Sequence, residues 1–503
     1  MKRTVSLILA VLLLLPLFAG CSKGGGDSET KPVTSDAPTV KEEAAEEDGE
    51  PEETDVHSRY KVPDDLPDGL DFGGESMRIL HRDWDLTTWE IYVEEDTGEV
   101  LYSAIFNRNI KVEDRLNLRI VPTSTPDQQS TLRATVAAHS DEFDMTGGYR
   151  AFAMVMATEG ILRNLYNIDY VDTEKPWWSQ SFLDAATIDD KRFFLTGDGA
   201  LSMLWAMGCM FVNHNLYEQY IGSVQDLWQL VMDGKWTYDL LGEYAEKVYT
   251  DTNGNGVKDK GDVYGFASET YSALDFLLTS ADVHWSEKDA DGIPQLTINN
   301  EHTVSFVEKL YKLLYENKGT YAATYENGFM GANAANFTKD ELMFTFGYSS
   351  SAGDFREMES DYSVVAFPKY DENQDSYKTY VHDVMSVFCV PTTNRDHWEM
   401  TGAFLEAFFS ESYRTVTDAY YETLLKQKYA RDPIVADMLD LIKSCISFDF
   451  VMCNSSAMMN CQQLFWNLLS KGNYDFASAY AKGEKSLQKK LDALIEFYKS
   501  YEE

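Results

Sequence analysis

FDMTGGYRAFAMVMATEGILRNL, residues 143–165, opens as a short apolar strand, breaks at Gly147 and Gly148, and resumes at helical spacing. The same alternation runs through the residues before it. SMRILHR (76–82) is short and apolar and reads as a strand. EVLYSAIFNRNIKVEDRLN (99–117) sets Val100, Ile105, Ile110, Val112 and Leu116 at mostly helical spacing. LRIVPT (118–123) is a second strand, and STLRATVAAHS (130–140) a further helix. Strands alternating with helices predict βαβ units and a parallel sheet, the α/β class. Such sheets bind ligands at the carboxyl ends of their strands. Asp83, Trp84 and Trp89 follow the first strand, and Gly147, Gly148, Tyr149 and Arg150 end the third.

The C-terminal third differs. Residues 400–429 and 432–502 are mostly helical by period, with few strand signals. A chain of 503 residues allows two to four domains or lobes, and 44% hydrophobic with 13% aromatic residues is enough for sizeable cores. No internal repeat is present. The net charge of −40 argues against nucleic acid, whose phosphates select Lys and Arg surfaces.

The N-terminus carries an address. Lys2 and Arg3 precede an apolar run, residues 5–18, too short to span a membrane comfortably. LFAGC (17–21) resembles the lipobox of bacterial lipoproteins. That likeness implies a signal peptide over residues 1–20, acylation of Cys21, and a chain lipid-anchored at the outer face of the cell membrane. Residues 21–70 are acidic and poor in large apolar groups, so they read as a disordered linker. Such a linker spans on the order of 40 Å.

Of six cysteines, Cys21 goes to the lipid and an odd number stays. Cys445, Cys453 and Cys461 recur every eight residues, unlike the short C-x-x-C knuckle of a zinc site. They read as buried free thiols. There is no HExxH, no phosphate-binding P-loop and no GxGxxG after a strand. GYSSSAG around Ser349 lacks the second glycine of a nucleophile elbow. No enzyme and no organic cofactor is expected.

The order of several segments carries a resemblance. RILHRDWD (78–85), VEDRLNLRIV (112–121), DEFDMTGGYRAFAMVMATEGILRNL (141–165), EKPWWSQS (174–181) and DKRFFLTGDGALSMLWAMGCMFVNHNLYEQY (190–220) come first. DLWQLVMDGKWTYDLLGEYAEKV (226–248), YSVVAFPKYD (362–371) and VMSVFCVPTTNRDHWEMTGAFLEAFFSE (384–411) follow. Together they are similar to family 1 extracellular solute-binding proteins of bacterial ABC importers, the group that includes maltose-binding protein. YYETLLKQKYARD (420–432) is similar to a clostridial branch. The resemblance implies a periplasmic-binding-protein-like fold, two α/β lobes joined by crossover hinge segments, with a C-terminal helical block. It implies residues 71–200 and 352–400 in one lobe, and 201–351 and 401–503 in the other. Asn213-His214 stands where the family usually shows Asn-Lys, and Asp83 with Asp85 only partly matches the maltose-type acidic pair. No sugar specificity therefore transfers.

Aromatic faces stack on sugar rings, and this chain has 10 Trp, 30 Tyr and 27 Phe. On the family-like order, Trp178 follows a proline that keeps the chain extended. Trp205 and Asn213 fall in the first crossover, and Tyr348 with Ser349 to Ser351 in the second. His382 and Asp383 precede the strand-like VMSVFCV. With Asp83, Trp84, Tyr149 and Arg150, these are the expected ligand residues. Core packing is the alternative for any one aromatic, and it is favoured for Trp228, Trp236, Trp285, Trp398 and Trp466.

DTNGNGVKDKGD (251–262) has the oxygen-ligand pattern of an EF-hand-type calcium loop. Asp251, Asn253, Asn255, Asp259 and Asp262 hold ligand positions, with Val257 offering a carbonyl. Asp262 replaces the bidentate Glu. A structural calcium is expected. The expected whole is a monomeric, lipid-anchored receptor that carries a small-molecule solute, a sugar or oligosaccharide, to ABC permease subunits. A surface glycan-binding protein or glycan-active enzyme outside transport is the alternative.

Overall fold

The computed structural model describes residues 56–323, 331–425 and 434–502. Cys21, residues 21–55 of the expected linker and the 426–432 part of YYETLLKQKYARD lie outside them. The linker expected to reach residue 70 is corrected from residue 56 on: Val56–Lys61 forms a 3-10 helix, Leu66 is buried in the core, and Asp64 pairs with Arg115 and Arg414. The first sheet is built as the alternation predicts. β1 (Glu75–Arg82) pairs parallel with β2 (Leu118–Thr125) and β3 (Met145–Tyr149). The helix Val100–Leu116 joins β1 to β2, burying Ile105, Arg108, Asn109, Val112 and Leu116. Ile110 departs from the expected stripe and is exposed. The helix stops at Asn117, which takes a left-handed φ of 47°.

The second sheet has β4 (Gly208–Asn213), β5 (Tyr264–Glu269), β8 (Thr320–Ala323), β9 (Leu342–Tyr348) and β10 (Tyr362–Val365), in the order β10-β4-β9-β5-β8. A hairpin of β6 (Ser286–Lys288) and β7 (Pro294–Leu296) stands apart. The chain then returns, and β11 (Ser386–Cys389) closes the first sheet antiparallel to β3. The fold is two α/β lobes joined by crossover segments, with a late helical block.

The expected lobe boundaries need correction. Residues 352–400 do not all join the first lobe, because β10 pairs with β4 from Tyr362↔Asn213 to Val365↔Met210. The backbone hydrogen bonds of that ladder hold it in the second sheet. Nor does the C-terminal block belong to one lobe. The helix Trp398–Glu411 packs on Val100–Leu116, whereas Ile434–Ser444 packs on β10. Cys209, Cys389, Cys453 and Cys461 are buried free thiols and Cys445 is half-buried and free. No helix among the described residues is long and apolar enough to cross a membrane.

Candidate functional site

The TGG run explains how the first sheet presents its edge. A Cβ on Gly148 would lie 2.0 Å from Gln128 Oε1, and one on Gly147 2.8 Å from the Phe388 ring. Gln128 needs that approach, since its Nε2 donates to Gly147 O at 2.7 Å and also to Thr146 Oγ1. The bare strand ends at Tyr149, beside the end of β1 at Arg82. From the second sheet, Trp205 precedes β4, and Tyr348 ends β9 opposite Gly208.

Three segments cross between the sheets side by side. Ser349 N donates to Met207 O at 2.8 Å, His382 N to Ala206 O at 3.2 Å, and Gly208 N to Tyr380 O at 2.9 Å. Arg150 N donates to Met385 O at 2.9 Å. These bonds bring the ends of β3 and β9 and the start of β4 to one place, with β1 alongside β3.

A chain of rings results. Trp84 meets Tyr149 edge-on at 5.1 Å and Trp205 at 5.8 Å. Trp205 meets Tyr348 at 5.0 Å, and Tyr348 meets His382 at 5.4 Å. Edge-to-face pairs at these separations suit the ring quadrupoles. The Arg82 guanidinium lies 4.1 Å over the Tyr149 ring, a cation–π contact. Phe152 stacks on the same tyrosine at 6.0 Å. Trp84, Trp205 and Tyr348 are half-buried, as rings waiting for a partner face would be.

Charges sit beneath the rings. His382 Nδ1 is 3.0 Å from Asp383 Oδ1. Burial raises the Asp383 pKa, but the His382 hydrogen bond and the nearby Arg150 outweigh it and hold the carboxyl below its ordinary value. Arg150 is buried and donates from Nη1 to Met452 O at 2.8 Å. Asp275, buried nearby, accepts from Trp466 Nε1 at 2.8 Å. Burial, with the Asp383 charge adding to it, pushes Asp275 up to about 8. Burial also raises the Tyr348 phenol, so it stays a neutral donor.

Of the expected ligand residues, Trp84, Tyr149, Arg150, Trp205, Tyr348, His382 and Asp383 come together, with Asp83 exposed beside them. Trp178 and Asn213 do not. Trp178 is 2% exposed, stacks on Phe409 at 4.3 Å, and donates from Nε1 to Glu406 Oε2 at 3.3 Å. Its neighbour Gly197, whose Cβ would strike Trp177 O at 2.0 Å, lets the chain fold this pair inward. Asn213 caps the helix His214–Tyr220 by accepting from Leu216 N, and its amide donates to Asp340. Sequence reading missed Arg82, Phe152, Tyr380 and the Asp275–Trp466 pair. Arg82 carried a signal, since it ends a strand in RILHRDWD. Trp466 carried none, being far along the chain from Asp275.

The 251–262 loop closes on itself. The Asp251 carboxylate accepts from Gly254 N at 2.7 Å and Gly256 N at 2.8 Å. Gly256 has φ 73°, the tolerance that position needs. Asn253 Nδ2 and Asn255 Nδ2 both donate to the Asp259 carboxylate. Asp262 is buried and accepts from Thr252 N at 3.0 Å. Among the described residues no group of three or more His, Cys, Asp or Glu side chains is placed to hold a metal ion.

A sequence profile of bacterial extracellular solute-binding proteins matches residues 107–423, well over half of the chain. The chain belongs to that family. It is thereby a binding protein rather than an enzyme, and one that works outside the cytoplasm. Solved structures share the family fold at low identity. One is an ABC substrate-binding protein of Listeria monocytogenes in complex with cycloalternan (14% identity, TM-score 0.50, covering 83% of this chain and 99% of that one). Another is a cyclo/maltodextrin-binding protein complexed with maltotetraose (13%, 0.52, 85% and 97%). A third is an ABC transporter solute-binding protein of Thermotoga lettingae bound with alpha-D-tagatose (12%, 0.51, 83% and 100%). At these identities the likeness is one of fold. No curated protein matches this solute-binding protein in sequence.

Proposed function

We propose that this solute-binding protein is the lipid-anchored receptor of an ABC importer, and that it takes a sugar or oligosaccharide between its two lobes. The observation that carries the reading is the ring chain Tyr149–Trp84–Trp205–Tyr348 at the edge where both sheets end. Sugar rings stack on such faces, while Asp83, His382 and Asp383 supply directional hydrogen bonds for hydroxyls. Cycloalternan, maltotetraose and tagatose in the structures of the same fold support the class. Contacts from both lobes favour a closed form by differential affinity. Monomeric chains then present that form to permease subunits. The lobes divide within the crossovers around residues 198–208, 348–350 and 366–385. A thermal-shift screen against a sugar library tests the reading. A rise in Tm with at least one saccharide is expected, and none across the library sinks it.

Two further parts belong to the proposal. Cys21 carries the lipid, whose two acyl chains at about 0.8 kcal/mol per buried methylene make a stable tether. The 251–262 loop takes a structural calcium, supported by its oxygen pattern and by the positive φ of Gly256. Binding would require the Asn253 and Asn255 amides to turn their oxygens inward. Millimolar calcium should raise the Tm and Asp251→Ala should abolish the rise. An unmoved wild-type Tm counts against the ion.

A further inference from the structure

Trp84 and Trp205 wall a second space. An open cavity of about 670 Å³ lies against both indoles and is lined by Leu86, Trp89, Leu101 and Ile105, with Tyr420 from the helix Thr417–Leu425. Its lining is mostly apolar, with the Glu99 carboxylate exposed at its rim and two inner polar groups engaged within the protein. The Tyr420 hydroxyl is 2.9 Å from Ser349 Oγ, and Thr423 Oγ1 donates to Ala419 O at 2.8 Å. A sugar ring bears hydroxyls around its whole edge. Placed among Leu86, Leu101 and Ile105 it would lose water and gain few partners, at a cost for each unpaired group. An apolar group would lose nothing and bury its surface. Trp89 is 38% exposed and meets Tyr102 edge-on at 5.3 Å, so large rings stay in water beside this cavity. Trp84 and Trp205 stand at 90° to each other, and the same two indoles belong to the ring chain of the cleft. The two spaces therefore share two walls.

We propose that the solute is amphipathic: a glycoside whose sugar lies along the ring chain and whose aryl or alkyl aglycone fills the cavity behind Trp84 and Trp205. This rests on the sugar reading above and narrows it. The full chain is titrated with maltotriose and with 4-nitrophenyl α-maltotrioside. The aryl glycoside is expected to bind at least tenfold tighter. Leu101→Trp, a half-buried residue in the first turn of its helix, fills the cavity and should erase the difference while leaving the Tm in place. Leu101→Glu, which sets a charge there, should do the same. Equal binding of the two sugars by the wild type, or a preference that survives both variants, overturns the proposal. If neither sugar binds, the sugar reading of the cleft fails for this series, and the cavity is read separately with N-phenyl-1-naphthylamine. Its fluorescence should rise with the wild type and not with Leu101→Trp. No rise with the wild type overturns the cavity as an apolar site.

Discussion

Trp178 and Trp205 are both indoles placed near a strand or crossover by the family-like order, and the fold uses them in opposite ways. Trp178 lies under the helix Trp398–Glu411, stacked on Phe409, with its N–H spent on Glu406. Trp205 lies where the sheets end and meets Trp84 and Tyr348, with part of its ring in water. Aromatic density thus says little about binding. What separates the two is whether a later part of the chain covers the ring.

The largest effect should come from breaking the buried half of the pair. Trp178→Ala leaves a cavity and a buried carboxyl without its donor, costing roughly 3–5 kcal/mol of stability. Denaturant unfolding measures it, and affinity of the folded fraction should not change. A stability loss under 1 kcal/mol would put Trp178 back at the cleft.

The carboxyl beneath Trp178 sharpens the contrast through pH. Burial raises Glu406 to about 8, with the Trp178 N–H only partly offsetting it. Asp275 is raised to about 8 and Glu90 to about 7, both chiefly by burial. A raised folded pKa means the folded chain holds its proton after the unfolded chain has lost it. The stability from these groups is full below their ordinary values near 4 and is lost as pH rises towards 8, at about 1.4 kcal/mol per unit per group. Asp64 has the opposite sign. Burial raises it, but hydrogen bonds from Arg115 and Arg414 outweigh this and hold it well below its ordinary value. Its stabilisation is lost in acid. Glu406→Gln should flatten the alkaline fall in Tm between pH 5 and 8; an unchanged slope would show that Glu406 ionises normally.

Trp205→Ala is the matching change in the cleft. Losing a stacking face should cost on the order of 1–3 kcal/mol of affinity, by analogy with other ring ligands, with little change in Tm. Calorimetry with a sugar found in the screen measures it. A large Tm loss with unchanged affinity would make Trp205 a core residue like Trp178. The smallest effect belongs to Asn213→Ala, which removes a helix cap for about 1 kcal/mol of stability. Affinity should stay constant, and a loss of binding would return Asn213 to the site.

Much of the candidate site was legible because it lies at strand ends. Periodicity finds β1 and β3, and chain direction then fixes which residues project from their carboxyl edge: Trp84, Tyr149 and the overlooked Arg82. Residues on return segments were harder. His382 and Asp383 came through only on the order of family-like segments. Asp275 and Trp466 are brought together by packing alone, 2.8 Å apart across the fold.

The sequence by itself determined the alternation that makes two α/β lobes and the late helical block. These follow from local sterics and hydrophobic period, which neighbours in the chain decide. Only the tertiary structure decided that β10 belongs to the second sheet, that Trp178 is covered and Trp205 is not, and that Asn213 caps a helix. Burial and pairing are properties of what the rest of the chain brings alongside, and no window of sequence contains its own partner.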